Sequence, residues 1–492
     1  MSKNSSITEI DQSVQQAHEA FRVFRRINSK QRAAFMHAVA NEIEALGPEL
    51  IATAQLETNL PAARLVGEKA RTVFQWRSYA DALDSVLDIR IDTADASRTP
   101  PKPDLRKTAV GLGVVAIFGA SNFPFAFSTA GGDTASAMAA GCPVIVKTHP
   151  GHPKTSALMG GAIKVAIQRA GLHPGLFAEV HSDTFEGGQY LVSHPLIKAV
   201  GFTGSFTGGK ALHDLAAKRP EPIPVFAEMG SVNPVFLLPR RLENAAVDIA
   251  KQYLASLTLG VGQFCTNPGI LVAPEHAGLR QFLDTLKIGV ADTEATPMLH
   301  QGIASAYGKN KAALLANTGV TVLAEAPETS PETHGNATIA TVKASQFLAN
   351  DQLGHEVFGP FGLVVTYENA QEAEAIAQTF KGELTATVLA EPEDIDAHQH
   401  LIELLTNKCG RILLNGFPTG VEVCYAMQHG GPYPASTDSR FTSVGPDAIK
   451  RFLRPLSYQN WPDEYLPDEL KNANPLGIWR TVNGALTKEA IQ

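Results

Sequence analysis

Apolar residues recur at helical spacing through residues 7 to about 90. Val14, Ala17, Phe21 and Phe24 fall on one helical face, and Phe35, Val39 and Ile43 mark a second helix with Ser29 as its expected N-cap. Gly47-Pro48 and Asn59-Leu60-Pro61 punctuate further helices, and Arg98 to Asp104, with three prolines, reads as a stiff exposed connector. From Val114 the rhythm changes. Short apolar β-rich runs at 114–118, 143–147, 177–180 and 198–202 alternate with helical patterns at 129–140, 155–170 and 187–193. Strands alternating with helices of this length imply right-handed crossovers and a parallel sheet. Ligands of such sheets bind beyond the carboxyl ends of the strands, where Asn122, Lys147 and Gly204 fall.

A second α/β region begins near Ser231. It has helices expected at 242–259 and 303–317, and strands at 320–323, 362–366, 385–389 and 411–414. Residues 325 to 336 read as a loop, and 416–445 is rich in Gly and Pro with little periodicity. Phe452, Leu453 and Leu456 suit pairing with another strand or chain. No internal repeat or low-complexity tract is present.

The length of 492 residues calls for two or three domains. Hydrophobic residues make up 44% and charged residues 18%, which is ordinary for a globular protein. A net charge of −8 offers no basic excess for nucleic acid. No run approaches the roughly 18 apolar residues of a membrane helix, so a soluble cytoplasmic protein is expected. The cysteines, Cys142, Cys265, Cys409 and Cys424, are too scattered for a disulfide framework, and no CxxC pair suggests zinc. His149 and His152 lack a neighbouring carboxylate or cysteine, and no metal site is expected.

Cys265 stands in Gly262-Gln263-Phe264-Cys265-Thr266-Asn267-Pro268-Gly269, a loop after a helical run. A lone cysteine is most often a small buried hydrophobe. A Gly-flanked loop instead lets the sulfur face a cleft, where a thiolate would attack a carbonyl carbon. Gly204-Ser205-Phe206-Thr207-Gly208-Gly209 follows a strand and opens a helix, so its amides suit a pyrophosphate, although the spacing is not GxGxxG. Lys147 ends a strand and could bond ribose hydroxyls or a phosphate. No acid follows it at Pro150, and His149, His152 and Lys154 are near, which favours NADP over NAD. Glu228 follows an apolar strand; confinement there would raise its pKa and make it a base near neutral pH. Asn122 offers a donor for an oxyanion, and Glu356 could accept bonds from a second ribose.

In this order the motifs resemble the aldehyde dehydrogenase superfamily over nearly the whole chain. The matches are Ser121-Asn122-Phe123-Pro124, Phe202-Thr203-Gly204-Ser205, Glu228-Met229-Gly230, Gly262-Gln263-Phe264-Cys265 and Glu356-Val357-Phe358-Gly359-Pro360. Phe264 to Gly269 and Gln428-His429-Gly430-Gly431-Pro432 look most like the NADP-linked 2-oxoglutarate-semialdehyde and fatty-aldehyde branch. Thr148-His149-Pro150 departs from the Pro-x-Glu of many members, and Met229-Gly230-Ser231 from their Leu-Gly-Gly.

The resemblance implies a Rossmann-like cofactor domain (1–94 and 110–230), an α/β catalytic domain (231–445), and a β-flap with a C-terminal tail (95–109 and 446–492). The flap would join subunits into a homodimer or homotetramer. It also implies that Cys265 is the nucleophile, that Asn122 and the Cys265 amide hold the oxyanion, and that Glu228 activates water. Gly204, Ser205 and Gly209 would lie at the pyrophosphate, Lys147 at the adenine-side ribose, and Glu356 with Phe358 at the nicotinamide ribose. His429 is a further candidate near the active site. The substrate is expected to be a small aldehyde, 2-oxoglutarate semialdehyde before a fatty aldehyde. An acidic substrate needs a cation at the entrance, whereas Phe125, Phe127, Phe264 and Phe417 suggest apolar walls. Competing readings are acylation of coenzyme A, which Glu228 argues against, a cofactor-free thiol esterase, and a non-catalytic protein of the same fold.

Overall fold

A computed structural model describes residues 4–327 and 333–491. The N-terminal helices form as their periodicity demands. Ser6 caps Ile7–Phe24 reciprocally with Glu9, and Val14, Ala17 and Phe24 are buried on its inner face. The next helix, Ser29–Ala45, begins one residue earlier than expected: Asn28 accepts the Gln31 amide and Gln31 returns the bond, so Ser29 is the first helical residue and not the cap. Both side chains can cap, and the reciprocal Gln three positions on decides in favour of Asn28.

The first sheet has five parallel strands in the order Phe177–Val180, Val144–Lys147, Val114–Phe118, Ile197–Thr203, Val225–Glu228. Val114–Phe118 is buried along its whole length, as a strand covered by helices on both faces must be. The chain winds outward from this central strand on one side and then resumes on the other. The reversal opens a crevice at the carboxyl ends of the middle strands. The small-residue helix Gly132–Ala139 is buried all round, which lets it lie close to the sheet.

The second sheet has seven strands, ordered Thr321–Glu325, Thr338–Lys343, Phe361–Tyr367, Ile270–Pro274, Val235–Leu237, Glu383–Leu389, Cys409–Leu414. All are parallel except the edge strand Thr321–Glu325. Apolar clusters pack on its two faces. The expected loop 325–336 is in part strand, since Glu325 ends the edge strand and His334–Gly335 pairs with Thr296–Pro297. Residues 328–332 of that loop lie outside the described residues. From Gly416 to Gly445 there is no helix or strand, only a single bridge from Ser436 to Glu228.

A third sheet joins Leu453–Gln459, Leu105–Gly111, Arg90–Asp92, Arg480–Val482 and Ala485–Thr487, in that order. The tail strand expected to seek a partner pairs antiparallel with Leu105–Gly111. Arg90–Asp92 belongs to this sheet, and Ile91 is buried with Leu87, Ile89, Leu466 and Leu476. No helix among the described residues is long and apolar enough to cross a membrane.

Candidate active site

The loop that carries Cys265 is wound by three consecutive left-handed residues, Gly260, Val261 and Gly262, with φ of 56°, 59° and 64°. Gly262 has to be glycine: a Cβ there would lie 2.3 Å from the Gly359 carbonyl. Val261 is a β-branched residue in a region such residues rarely enter. Side-chain amides hold the loop in this form. Asn233 Nδ2 donates to the carbonyls of Cys265 (2.9 Å) and Asn267 (3.0 Å), and Asn267 Nδ2 donates to Gly359 O at 3.1 Å.

Glu228 ends the last strand of the first sheet and His429 comes from the irregular segment 416–445. Both point at the sulfur. His429 Nε2 is 3.6 Å from Cys265 Sγ and 3.0 Å from Glu228 Oε1. At that second distance the imidazole and the carboxylate are in direct contact. Ser443 Oγ donates to Glu228 Oε2. Asn122 Nδ2 donates one hydrogen to Gln263 O at 3.1 Å, two residues from the nucleophile, and its second hydrogen is left for a ligand. Arg64 Nη2 fixes Asn122 by donating to its carbonyl at 2.6 Å.

The electrostatics differ from the sequence expectation in two ways. Burial would push Glu228 up, but His429 beside it, with the polar contacts of Ser443 and Cys265, outweighs burial and holds it below the usual carboxylate value. Glu228 is therefore ionised at neutral pH, in a buried but polar pocket. Cys265 is driven well above an ordinary thiol by burial, by the charge and hydrogen bond of Glu228, and by Glu356. The resting sulfur is a thiol, not the expected thiolate, and Glu228 is placed to take its proton.

Of the residues expected at a dinucleotide, Lys147, Gly204, Ser205 and Gly209 lie at the carboxyl ends of strands of the first sheet, and Glu356 and Phe358 line a cavity with residues of the second region. Ser205 is the N-cap of Phe206–Ala217 and accepts the Gly208 amide at 3.3 Å. Gly209 donates to Ser205 O and packs where a Cβ would lie 2.7 Å from Met229 Sδ. Its amide is committed, so the first-turn amides left over by helix geometry are those of Phe206 and Thr207. Gly204 lies against the Phe202 ring. Burial lowers the Lys147 ammonium and Asp183 opposes that.

Burial holds His149 well below its usual value, His152 is buried with its ring nitrogens at Ala120 O and Ser156 Oγ, and the two rings stack. Glu356 and Phe358 line one cavity with Ser231 and Gly262. A Cβ at Gly230 would strike Glu356 Oε2 at 2.1 Å, so Gly230 makes room for that carboxylate.

Burial and the neighbouring charge of Glu383 push Glu356 up to about 8, and burial pushes Glu383 up to about 7. A carboxyl raised on folding keeps its proton when the unfolded chain has lost it. Its stabilising contribution is present below the unfolded value and disappears as pH rises through the folded one. The melting temperature of the cofactor-free protein should therefore decline from about pH 5 to about pH 8. Glu356→Gln should flatten the profile, and its advantage over the wild type in scanning fluorimetry should grow with pH.

Of the aromatic residues expected to wall the entrance, Phe127 and Phe264 lie at the site with Phe123, while Phe125 is core and Phe417 packs on Tyr253. The sulfur, imidazole and carboxylate of Cys265, His429 and Glu228 lie within 4.8 Å of one another, a cluster that sequence spacing could not reveal. Sequence reasoning also missed Ser443. Its only signal is its distance of fourteen residues from His429, which carries no chemistry until both reach Glu228.

The sequence model of the aldehyde dehydrogenase family matches residues 2–454. The chain belongs to this family. Two curated relatives of this aldehyde dehydrogenase are an alpha-ketoglutaric semialdehyde dehydrogenase 2 from Azospirillum brasilense and an alpha-ketoglutaric semialdehyde dehydrogenase from Acinetobacter baylyi. The first is 46% identical, covering 97% of this chain and 91% of the relative. The second is 44% identical, covering 98% and 92%. Among solved structures, aldehyde dehydrogenase 21 from Physcomitrella patens superposes with a TM-score of 0.76 at 18% identity, covering 94% of this chain and 92% of that one. That likeness establishes the α/β aldehyde dehydrogenase fold expected from the sequence.

Proposed function

We propose that this aldehyde dehydrogenase oxidises 2-oxoglutarate semialdehyde to 2-oxoglutarate. The reaction type is supported by the contact of Cys265 with Glu228, and the substrate by the two relatives of that name, similar over almost the whole chain.

The chain's own groups divide the work as follows. Glu228 takes the Cys265 proton as the sulfur adds to the aldehyde carbon. The oxygen that becomes negative lies between the Asn122 side-chain amide and the Cys265 backbone N–H. A bound nicotinamide dinucleotide supplies the hydride acceptor. The sulfur is then acylated, and Glu228, having passed its proton to solvent, removes one from the water that cleaves the thioester, so that the acid leaves and the thiol returns. His429 and Ser443 keep Glu228 ionised for both proton transfers.

The first-turn amides after Ser205 would hold the pyrophosphate, Lys147 the adenine-side ribose, and Glu356 with Phe358 the nicotinamide ribose. NADP is preferred to NAD because Thr148-His149-Pro150 places no acid directly after Lys147 to oppose a 2′-phosphate. The small sheet and the segments that join its strands bear exposed Trp461, Tyr465, Trp479 and Leu486, which suits a homodimer or homotetramer.

Aldehyde oxidation followed by the absorbance of the reduced cofactor tests the reading. 2-Oxoglutarate semialdehyde should give the highest kcat/KM in a panel with succinic semialdehyde and decanal, and a higher one with NADP than with NAD. Decanal as the best substrate would favour the fatty-aldehyde reading, for which Phe123, Phe127 and Phe264 at the site speak.

A further inference from the structure

Arg32, Arg64, Arg71, Arg411 and Arg480 are sheltered, have no ion pair among the described residues and each keep an enclosed donor without an acceptor, but Arg71 and Arg411 alone among them feel the charge of Cys265. Arg106, Arg241 and Arg451 have carboxylate partners in Asp104, Glu391 and Asp133. Arg219 has none and gives its donors to the carbonyls of Val192, His194 and Ile197. Arg71 and Arg411 have no ion pair among the described residues and are not fully bonded either: Arg71 Nη1 and Arg411 Nε are enclosed without an acceptor. An enclosed donor without a partner is costly, and for a guanidinium more so.

Both arginines grip one short segment. Arg71 Nη2 donates to Val421 O at 3.2 Å, and Arg411 Nη2 donates to Pro418 O at 2.9 Å and to Gly420 O at 3.3 Å. Both lie within electrostatic reach of Cys265, whose negative form would raise their pKa. The Arg71 guanidinium carbon is 5.3 Å from the Phe127 ring centre, and that ring is 6.2 Å from the ring of His429, which touches the sulfur. The acids that act on Arg71, Glu68 and Glu422, do so through space without pairing with it. Glu68 Oε1 accepts the amides of Phe125 and Ala126, and its Oε2 is enclosed without reaching Arg71 as a hydrogen-bond partner.

We infer that Arg71, backed by Arg411, is the subsite for the carboxylate of a short oxo acid whose aldehyde end meets Cys265. The inference rests on the substrate reading above and names the residue that makes it selective. The methylene carbons of such a substrate would cross the Phe127 face, and its carboxylate would supply the acceptor that the guanidinium lacks. A planar fork suits a carboxylate better than an ammonium does. A neutral aldehyde leaves that donor unsatisfied, and selectivity follows from the difference.

The test compares kcat/KM for 2-oxoglutarate semialdehyde with kcat/KM for pentanal, using the full-length enzyme and the same dinucleotide. In Arg71→Met the acid-to-neutral ratio should fall roughly 100-fold, chiefly through KM for the acid. Arg71→Lys should recover part of it, and Arg411→Met should lose less. Should Arg71→Met fail to fold, the lysine variant and Arg411→Met carry the same comparison. A ratio unchanged in the variants, with a wild type that prefers the acid, overturns the assignment of Arg71 and leaves the substrate reading standing. A wild type that prefers pentanal overturns both.

Discussion

Cys265→Ala will leave a folded protein that binds its dinucleotide and oxidises no aldehyde. The expected loss in kcat is at least about four orders of magnitude, the scale seen when a covalent nucleophile is removed. The loop should survive the change, because its shape is set by the side-chain amides of Asn233 and Asn267 acting on backbone carbonyls, not by the sulfur. Isothermal titration of the variant with NADP should match the wild type while the spectrophotometric assay falls to background. Normal turnover without the sulfur would remove the proposed mechanism altogether, and lost cofactor binding would show that the thiol is structural.

Glu228→Gln separates the two proton transfers assigned to one carboxylate. Without an anion the variant lacks a base for the thiol and for water, so steady-state kcat should drop by about two to four orders of magnitude. The two steps differ in what can replace the base. Solvent hydroxide can deprotonate a thiol, and removing the adjacent negative charge lowers the cost of forming the thiolate. For the thioester, hydroxide must both replace the base and find the carbon without a carboxylate to hold it, so hydrolysis stays the slower step. Stopped-flow traces should therefore show one reduced cofactor per subunit, faster as pH rises, with almost no linear phase after it. A steady rate without that initial step would assign the water-activating role to another group, and His429 would be the first to examine.

Much of the architecture could be read before folding, for a physical reason. Val114–Phe118 and Phe177–Val180 were placed to the residue because a strand in a covered sheet is a local apolar run between breakers. The helix start at Asn28 was missed because Asn28 and Ser29 both cap and only the returning bond from Gln31 separates them. Cys265, Glu228 and Asn122 stand out in the sequence, and the fold brings them to one place, but the ionisation of Cys265 and Glu228 is not legible there. Glu228 was expected to be raised by an apolar setting, yet His429 and Ser443 arrive from far along the chain and reverse the shift. The burial and stacking of His149 and His152 are equally invisible in the sequence, where their neighbours give no sign of them. Arg71, on the helix Ala62–Asp81, carries no motif, and its enclosed donor without an acceptor exists only in the assembled molecule.

The protonated state of Cys265 also bears on how the protein ages. Peroxide and alkylating agents attack thiolates far faster than thiols. A sulfur that surrenders its proton only when a carbonyl arrives stays inert towards both while the enzyme stands idle. Stored or starved enzyme should thus keep its capacity for turnover under oxidant levels that would silence a cysteine held permanently as the anion.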